Sequence, residues 1–484
     1  MKTKQSIVVS LLVAFGALLG ACSKPAPKTA TTPFFATNGW GEGVAIVQHP
    51  AGEHKDGITY VFYQGLLEDP YVAAYDHEKK EWLGPFKAGT STLGKDPKGK
   101  IDSHGKPTMI IDDLGYIHIF YGGHGGDKAI HGENPFGNSA LGENRHSVSK
   151  KPLNITEWED LNNISPFGTY NQAVKMDNGD LYLFYRHGAH RSDWVYQKST
   201  DHGRTFEAPV PFLKHKRRAD DIGSDSWYAF ATKGLKDEIV VGFDYHYCWD
   251  QDAPRNNRGG HSTERKNLYY MTFNTATKVW QNIHDEPLNI PLTKEEADVK
   301  TLAVDTGEKW TFNGSTQVDA EGIPHIAAYI GEDIGWQIGG PKNARYFRWD
   351  GENWAGNFEN GLPIGRGDFL VSGKQVRFLL SGVDPSVDRT IVRWWESQDG
   401  GASFAPGKEL LRFGDYFEPE SKNLYGDRPA SLSNLDSPGS AASAFIRNAH
   451  PDARIIVAEK PDGTPYRRMY LVGDEGPIRR RTQD

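Results

Sequence analysis

One pattern recurs along this chain and confines it to a sheet architecture. An Asp/Gly turn followed by an alternating strand appears at Asp112–Phe120 (DDLGYIHIF), Asp177–Phe184 (DNGDLYLF) and Asp319–Ala327 (DAEGIPHIA). Each copy follows another apolar stretch, at Pro107–Ile111, Asn171–Met176 and Gly314–Val318. Strand, tight turn, strand is the signature of an antiparallel hairpin. Weaker copies lie near Tyr60–Tyr63, Asp237–Val241, Val376–Leu379 and Ala444–Ile446, giving about seven. Composition agrees: 53 Gly, 23 Phe, 21 Tyr and 13 Trp in 484 residues suit many short strands joined by turns, whereas no amphipathic helix of any length stands out. Radial repetition protects strand edges, so the expectation is an all-β chain folded as a single seven-bladed β-propeller of four-stranded antiparallel blades, spanning 37–484.

A second pattern follows two of the hairpins. Ser199–Phe206 and Ser397–Phe404 both read S-x-D-x-G-x-[ST]-F. This resembles the Asp box of sialidase-type propellers, a structural turn between the outer strands of a blade. Roughly 64 residues per blade exceeds the 40–50 of compact propeller repeats, so the excess must be loops, of which Gln251–Lys266 is the clearest.

The N-terminus reads as an address. Lys2 and Lys4 precede an apolar run, Ile7–Ala21, that is short for a membrane span and ends Leu-Gly-Ala-Cys. That ending resembles a bacterial lipobox. It implies a lipoprotein signal peptide over 1–21, lipidation at Cys22, and export to the outer membrane, facing the cell surface or the periplasm. Residues 22–36, rich in Pro, Thr, Ala and Lys, read as a tether. The formal charge of −8 falls to −10 once Lys2 and Lys4 are removed, which excludes a nucleic-acid binder. With Cys22 lipidated, Cys248 has no disulfide partner within the chain.

Hairpin counting brings candidate catalytic groups together. His104 and His124 lie ten residues either side of Leu114, and Tyr170 and Arg186 eight either side of Asn178. Residues equidistant from a turn face one another, so both pairs are expected at the open ends of adjacent blades. Two imidazoles, a phenol and a guanidinium suit β-elimination on a uronic acid. The guanidinium neutralises the carboxylate, acidifying the neighbouring carbon, and His and Tyr move the protons. A nearby cation is expected to lower the phenol pKa. By the same counting, Asn313 and Tyr329 of a later blade face the same funnel as substrate contacts. Arg255, Asn256, Asn257 and Arg258 of the insertion could reach anionic groups above it.

The stretch Asp102–Met109, continuing through Gly115–His118 to Gly122–Gly125, resembles the BNR-repeat ulvan lyases. Thr169–Gln172 and Phe184–His187 extend the resemblance, which covers nearly the whole mature chain. It implies a seven-bladed propeller polysaccharide lyase in which His104, His124, Tyr170 and Arg186 form the active site. The implied substrate is ulvan, a sulfated algal polysaccharide cut at the uronic acid next to sulfated rhamnose. His246 and Cys248 stand two apart, on one strand face, with His190 and His261 near in sequence order; three His and one Cys make a closed tetrahedral set. The resemblance implies a structural Zn²⁺ there, not a catalytic one. His187 ranks below His190 because it points to the opposite strand face or the turn. Two other readings compete: a sialidase-like hydrolase, and a surface lipoprotein that binds glycans without cutting them. The first lacks the usual Arg-Ile-Pro opening and a Tyr–Glu pair.

Overall fold

The computed structural model describes residues 30–481 except 46–47, 94–101, 103, 220–222, 250–263, 332–341, 357, 360, 385–388, 414–440 and 462–463. The fold is all-β. Among the described residues, helix is confined to Lys128–His131, Lys294–Lys300 and a 3₁₀ turn at Leu66–Glu68, and no helix is long and apolar enough to cross a membrane.

Four sheets are four-stranded antiparallel meanders arranged as propeller blades. They begin with the strands Thr108–Ile111, Thr169–Lys175, Thr311–Val318 and Gly365–Ser372. Two sheets are larger than the uniform blade expected. One gathers seven strands between Lys216 and Val304 around the long hairpin Gly223–Lys233/Glu238–Trp249. The other has eight strands because Gly52–Lys55 pairs in parallel with Ala441–Arg447, fusing the beginning and the end of the chain. The leading strands touch in succession, from Gly52–Lys55 through Thr108–Ile111, Thr169–Lys175, Gly223–Lys233, Thr311–Val318 and Gly365–Ser372 to Ala441–Arg447 and back.

The repeat seen in the sequence builds the inner hairpins. Gly115, Gly179 and Gly322 take φ of +87°, +86° and +86°, and each donates a 3.1 Å bond to the carbonyl three residues earlier. That left-handed backbone is why the turn carries Gly. The second strands, such as Leu181–Arg186, are buried on both faces because sheets pack face to face. Between the third and fourth leading strands' sheets, Trp280 stacks on Phe212 and Phe273 with centroids 5.0 and 4.8 Å apart. Such aromatic pairs add about 0.5–1.5 kcal/mol each beyond the area they bury.

Both Asp boxes are turns joining the third and fourth strands of a sheet. Ser199 Oγ donates to Asp201 Oδ1 at 2.8 Å, and Thr205 N and Oγ1 donate to the same carboxylate. Ser397, Asp399 and Ser403 repeat that wiring. The closing sheet is completed by Ala36–Gly39 lying against Arg467–Val472. Pairing starts earlier than the expected tether boundary: Thr31–Thr32 bond to Arg480–Arg481, with Arg479 also holding Thr31.

Candidate active site

The ladder Thr108↔Phe120 to Ile111↔Ile117, extended by the bond from Gly122 N to Gly105 O, carries His104 and His124 to one open end. Their rings stack at 3.6 Å with a 10° interplanar angle. Asp102 sits beneath both. Its Oδ1 is 2.6 Å from His104 Nδ1 and its Oδ2 is 2.6 Å from His124 Nδ1. Glu68 Oε1 in turn accepts from the Asp102 amide at 2.7 Å. Burial alone would raise the Asp102 pKa, but the bonds from the two imidazoles hold it well below the usual carboxylate range. An ionised carboxylate only accepts, so both Nδ1 atoms are donors. Burial pushes His104 down to about 4, helped by His124 and opposed by Asp102. His104 is therefore a neutral proton acceptor near pH 7.

The adjacent sheet supplies the other half. Arg186 pairs with Thr169, and the register shifts between Thr169 and Gln172, so Tyr170 sits in a bulge with φ +61°. A bulky residue in the left-handed region is strained by roughly 1–3 kcal/mol, and such strain gathers at functional sites. The bulge turns the Tyr170 ring to 5.6 Å from His104. Arg186 is fully buried. Its Cζ lies 4.9 Å from the Tyr170 ring and 5.3 Å from the Tyr228 ring, its Nε donates to Gly188 O, and its two terminal nitrogens have no hydrogen-bond acceptor among the described residues. A buried guanidinium with no carboxylate beside it among the described residues is a receptor for an anion.

Two residues beyond the sequence reading complete this half. Tyr228, midway along the next sheet's strand Gly223–Lys233, has its hydroxyl 3.4 Å from that of Tyr170. Arg265 lies over its ring at 3.7 Å. Burial would raise the Tyr228 pKa, but Arg265 and Arg186 hold it below the usual phenol value, while burial and Tyr228 push Tyr170 well above it. The two arginines pull on both phenols, but only at Tyr228 do they outweigh burial. Counting from the next hairpin could have found Tyr228, which lies eight residues before Lys236 of its turn as Tyr170 lies eight before Asn178. Asp102 stands two before His104, and its carboxylate also accepts from the His104 amide at 3.0 Å.

The remaining expected site residues divide. His190 approaches both His104, at 6.2 Å between centroids, and His246, at 5.5 Å. His246 and Cys248 are buried on one strand, opposite Ser226 and Ser224. His187 lies elsewhere, bonded to Ser165 and Asn134. Asn313 and Tyr329 are buried between sheets. Asn313 bonds Asp244 and Gly242 O, and the Tyr329 hydroxyl bonds both the carbonyl and the amide of Gly367, so neither is brought to the histidine pair. Cys22, Arg255, Asn256, Asn257, Arg258 and His261 lie outside the described residues.

Two stacked imidazoles, two phenols and a buried guanidinium thus meet on neighbouring sheets, an arrangement with the chemistry to move protons beside an anion. The profile of the BNR repeat-containing family matches residues 59–359. An ulvan lyase of Pseudoalteromonas sp. (strain PLSV) is 54% identical over 93% of this chain and 88% of its own length. One of Alteromonas sp. (strain LOR) is 53% identical over 92% and 88%. A solved PL25 ulvan lyase superposes with a TM-score of 0.83 at 53% identity, covering 93% of this chain and 98% of that one. A second, bound to -[GlcA(1-4)Rha3S]-, also gives 0.83, at 52% identity and the same coverage. The polysaccharide lyase Uly1, 14% identical with a TM-score of 0.59, shares the fold. The chain belongs to the BNR repeat-containing family and, within it, to the PL25 ulvan lyases.

Proposed function

We propose that this chain cleaves ulvan by β-elimination at the uronic acid next to sulfated rhamnose. The observation that carries the reading is the Asp102-held histidine pair facing Arg186, a buried cation with unoccupied donors. Arg186 takes the uronate carboxylate and spreads its charge, which acidifies C5. A base removes the C5 proton, the electron pair forms the C4–C5 double bond, the C4–O bond breaks, and the leaving oxygen takes a proton. His124 and Tyr170 carry those protons, and His104 completes the pocket. The unsaturated uronate separates this reading from hydrolysis, and chain cutting separates it from mere binding. Tyr170→Phe removes only a hydroxyl. It should fold normally and lose at least about 10²-fold in formation of ultraviolet-absorbing product, as should His124→Ala. A Tyr170→Phe enzyme with near wild-type activity would move the proton step to the histidines and Tyr228.

The same proposal includes seven blades. Its support is the ring of seven leading strands, with the eight-stranded sheet counted as two blades joined along Gly52–Lys55/Ala441–Arg447. It also includes one structural Zn²⁺ held by His190, His246, Cys248 and His261. The donor chemistry fits: the rings of His190 and His246 are 5.5 Å apart, and His246 and Cys248 share a buried strand face. Such an ion would anchor the loop that carries His190 beside the histidine pair. Arg255 and Arg258 are proposed sulfate contacts, and Asn313 and Tyr329 support the funnel wall from behind. The N-terminal pattern supports export as an outer-membrane lipoprotein anchored through Cys22.

A further inference from the structure

Far from the active site, three imidazoles and a carboxylate gather where the two ends of the chain meet. His54 closes the leading strand Gly52–Lys55, and His77 follows the strand Pro70–Asp76. His450 and Asp452 belong to the turn between Ala441–Arg447 and Ile455–Glu459, some 370 residues further on. The ring centroids are 4.0 Å apart for His77 and His450, 5.1 Å for His54 and His77, and 5.2 Å for His54 and His450. One ligating atom each from His77, His450 and Asp452 lie within 4.8 Å of one another. This group sits among the hairpin turns, at the end of the ladders opposite His104 and His124; Lys55 beside it donates to the carbonyl of Asp112 in the neighbouring turn.

Ordinary hydrogen bonding leaves the cluster incomplete. A single hydroxyl, Thr59 Oγ1, serves both His54 Nδ1 at 3.0 Å and His77 Nε2 at 2.8 Å. The other nitrogen of His77, Nδ1, is buried without a hydrogen-bond partner among the described residues. His450 Nδ1 takes only a 3.2 Å contact from the Asp452 amide, and Asp452 Oδ2 stands 3.8 Å from it. A buried ring nitrogen left unpaired costs about 1–3 kcal/mol unless something occupies its lone pair. Like imidazoles packed this closely cannot share a proton load without repulsion, whereas a cation among them satisfies all their lone pairs at once. Imidazole and carboxylate donors without thiolate suit a borderline first-row dication.

We propose that His77, His450 and Asp452, with His54 as a neighbouring imidazole, form a second divalent-cation site of the Zn²⁺ class. It would staple the turn after Pro70–Asp76 to the turn after Ala441–Arg447, across the parallel junction of the eight-stranded sheet. A cation held only by the native arrangement stabilises that arrangement by mass action. The site lies away from the elimination chemistry, so its loss should leave turnover unchanged.

The test uses the full chain and zinc and cobalt salts as probes. Titration of wild-type protein should find one Zn²⁺ equivalent that disappears, or weakens at least tenfold, in His450→Ala and in Asp452→Asn. Excess Zn²⁺ should raise the wild-type melting temperature by roughly 5 °C and the variants' by much less. Bound Co²⁺ at this site should show no thiolate charge-transfer band, which distinguishes it from any cation at Cys248. Activity on ulvan should be the same in all three proteins. Equal zinc stoichiometry and equal thermal response in wild type and both variants would overturn the proposal, as would a thiolate band accounting for all bound cobalt.

Discussion

Oδ2 of Asp102 lies 2.6 Å from Nδ1 of His124, and the same carboxylate holds His104 through its other oxygen at the same distance. One anion thus orients two stacked rings and fixes the proton on the inner nitrogen of each.

Asp102→Asn should test this positioning. An amide can accept from one imidazole but presents a donor to the other, forcing that ring to change tautomer or turn. The expected result is a fall in kcat on the order of 10²-fold or more, with KM within about threefold. Unchanged kcat with raised KM would assign Asp102 to substrate binding instead.

Arg186→Lys keeps the charge and removes the fork. A bidentate carboxylate contact becomes a point charge on a flexible stem, in a pocket shaped by the Tyr170 and Tyr228 rings. Product formation should fall by about 10²–10³ in kcat/KM. Initial rates by ultraviolet absorbance measure it.

Tyrosine ionisation should divide the two phenols. Arg265 and Arg186 hold Tyr228 below the ordinary phenol value, and Tyr170 is raised by burial and by Tyr228. An ultraviolet difference titration should show one tyrosine ionising ahead of the bulk. That early step should vanish in Tyr228→Phe and persist in Tyr170→Phe.

Acid should loosen the fold before the carboxylates protonate. Burial, with Arg447 nearby, pushes His49 down to about 3, and burial pushes His187 down to about 4. Between these values and the ordinary 6.5 the unfolded chain binds protons that the folded chain does not. Stability therefore rises with pH across about 4 to 6.5 and is lost as pH falls through it, at about 1.4 kcal/mol per pH unit for each such group. Urea midpoints between pH 7 and pH 4.5 should fall accordingly, and His49→Gln should flatten the slope.

Cys248→Ala should lower zinc content and thermal stability together while leaving the fold of the remaining sheets intact. Metal analysis of native protein that finds no zinc would remove the proposed ion.

The inner hairpins were legible because their turns have a chemical cause: Asp112, Gly115 and their counterparts write the same bend three times. The His104–His124 pairing was legible for the same reason, since register propagates from a tight turn without loss. Tyr170 and Arg186 were found, but their pairing was off by one, because a bulge inserts a residue that no turn count sees. Asn313 and Tyr329 copy the Tyr170 and Arg186 positions in number but not in setting; Tyr329 spends its hydroxyl on Gly367. Arg265 was hidden at the end of a segment that reads as a polar insertion, and only the long strand Glu264–Asn274 delivers it to Tyr228. The larger sheets were not legible at all, since a parallel junction between residues near 52 and 446 leaves no local mark.

The seal between Ala36–Gly39 and Arg467–Val472 sets the order of biogenesis. Met469 crowds Gly39 so closely that a Cβ there would meet its sulfur at 2.6 Å, so the two distant segments approach closely because position 39 is glycine. More than 400 residues separate the partners, and at about 5–20 residues per second the ribosome delivers the second roughly 20–90 s after the first. Until then the chain is an unfastened row of sheets.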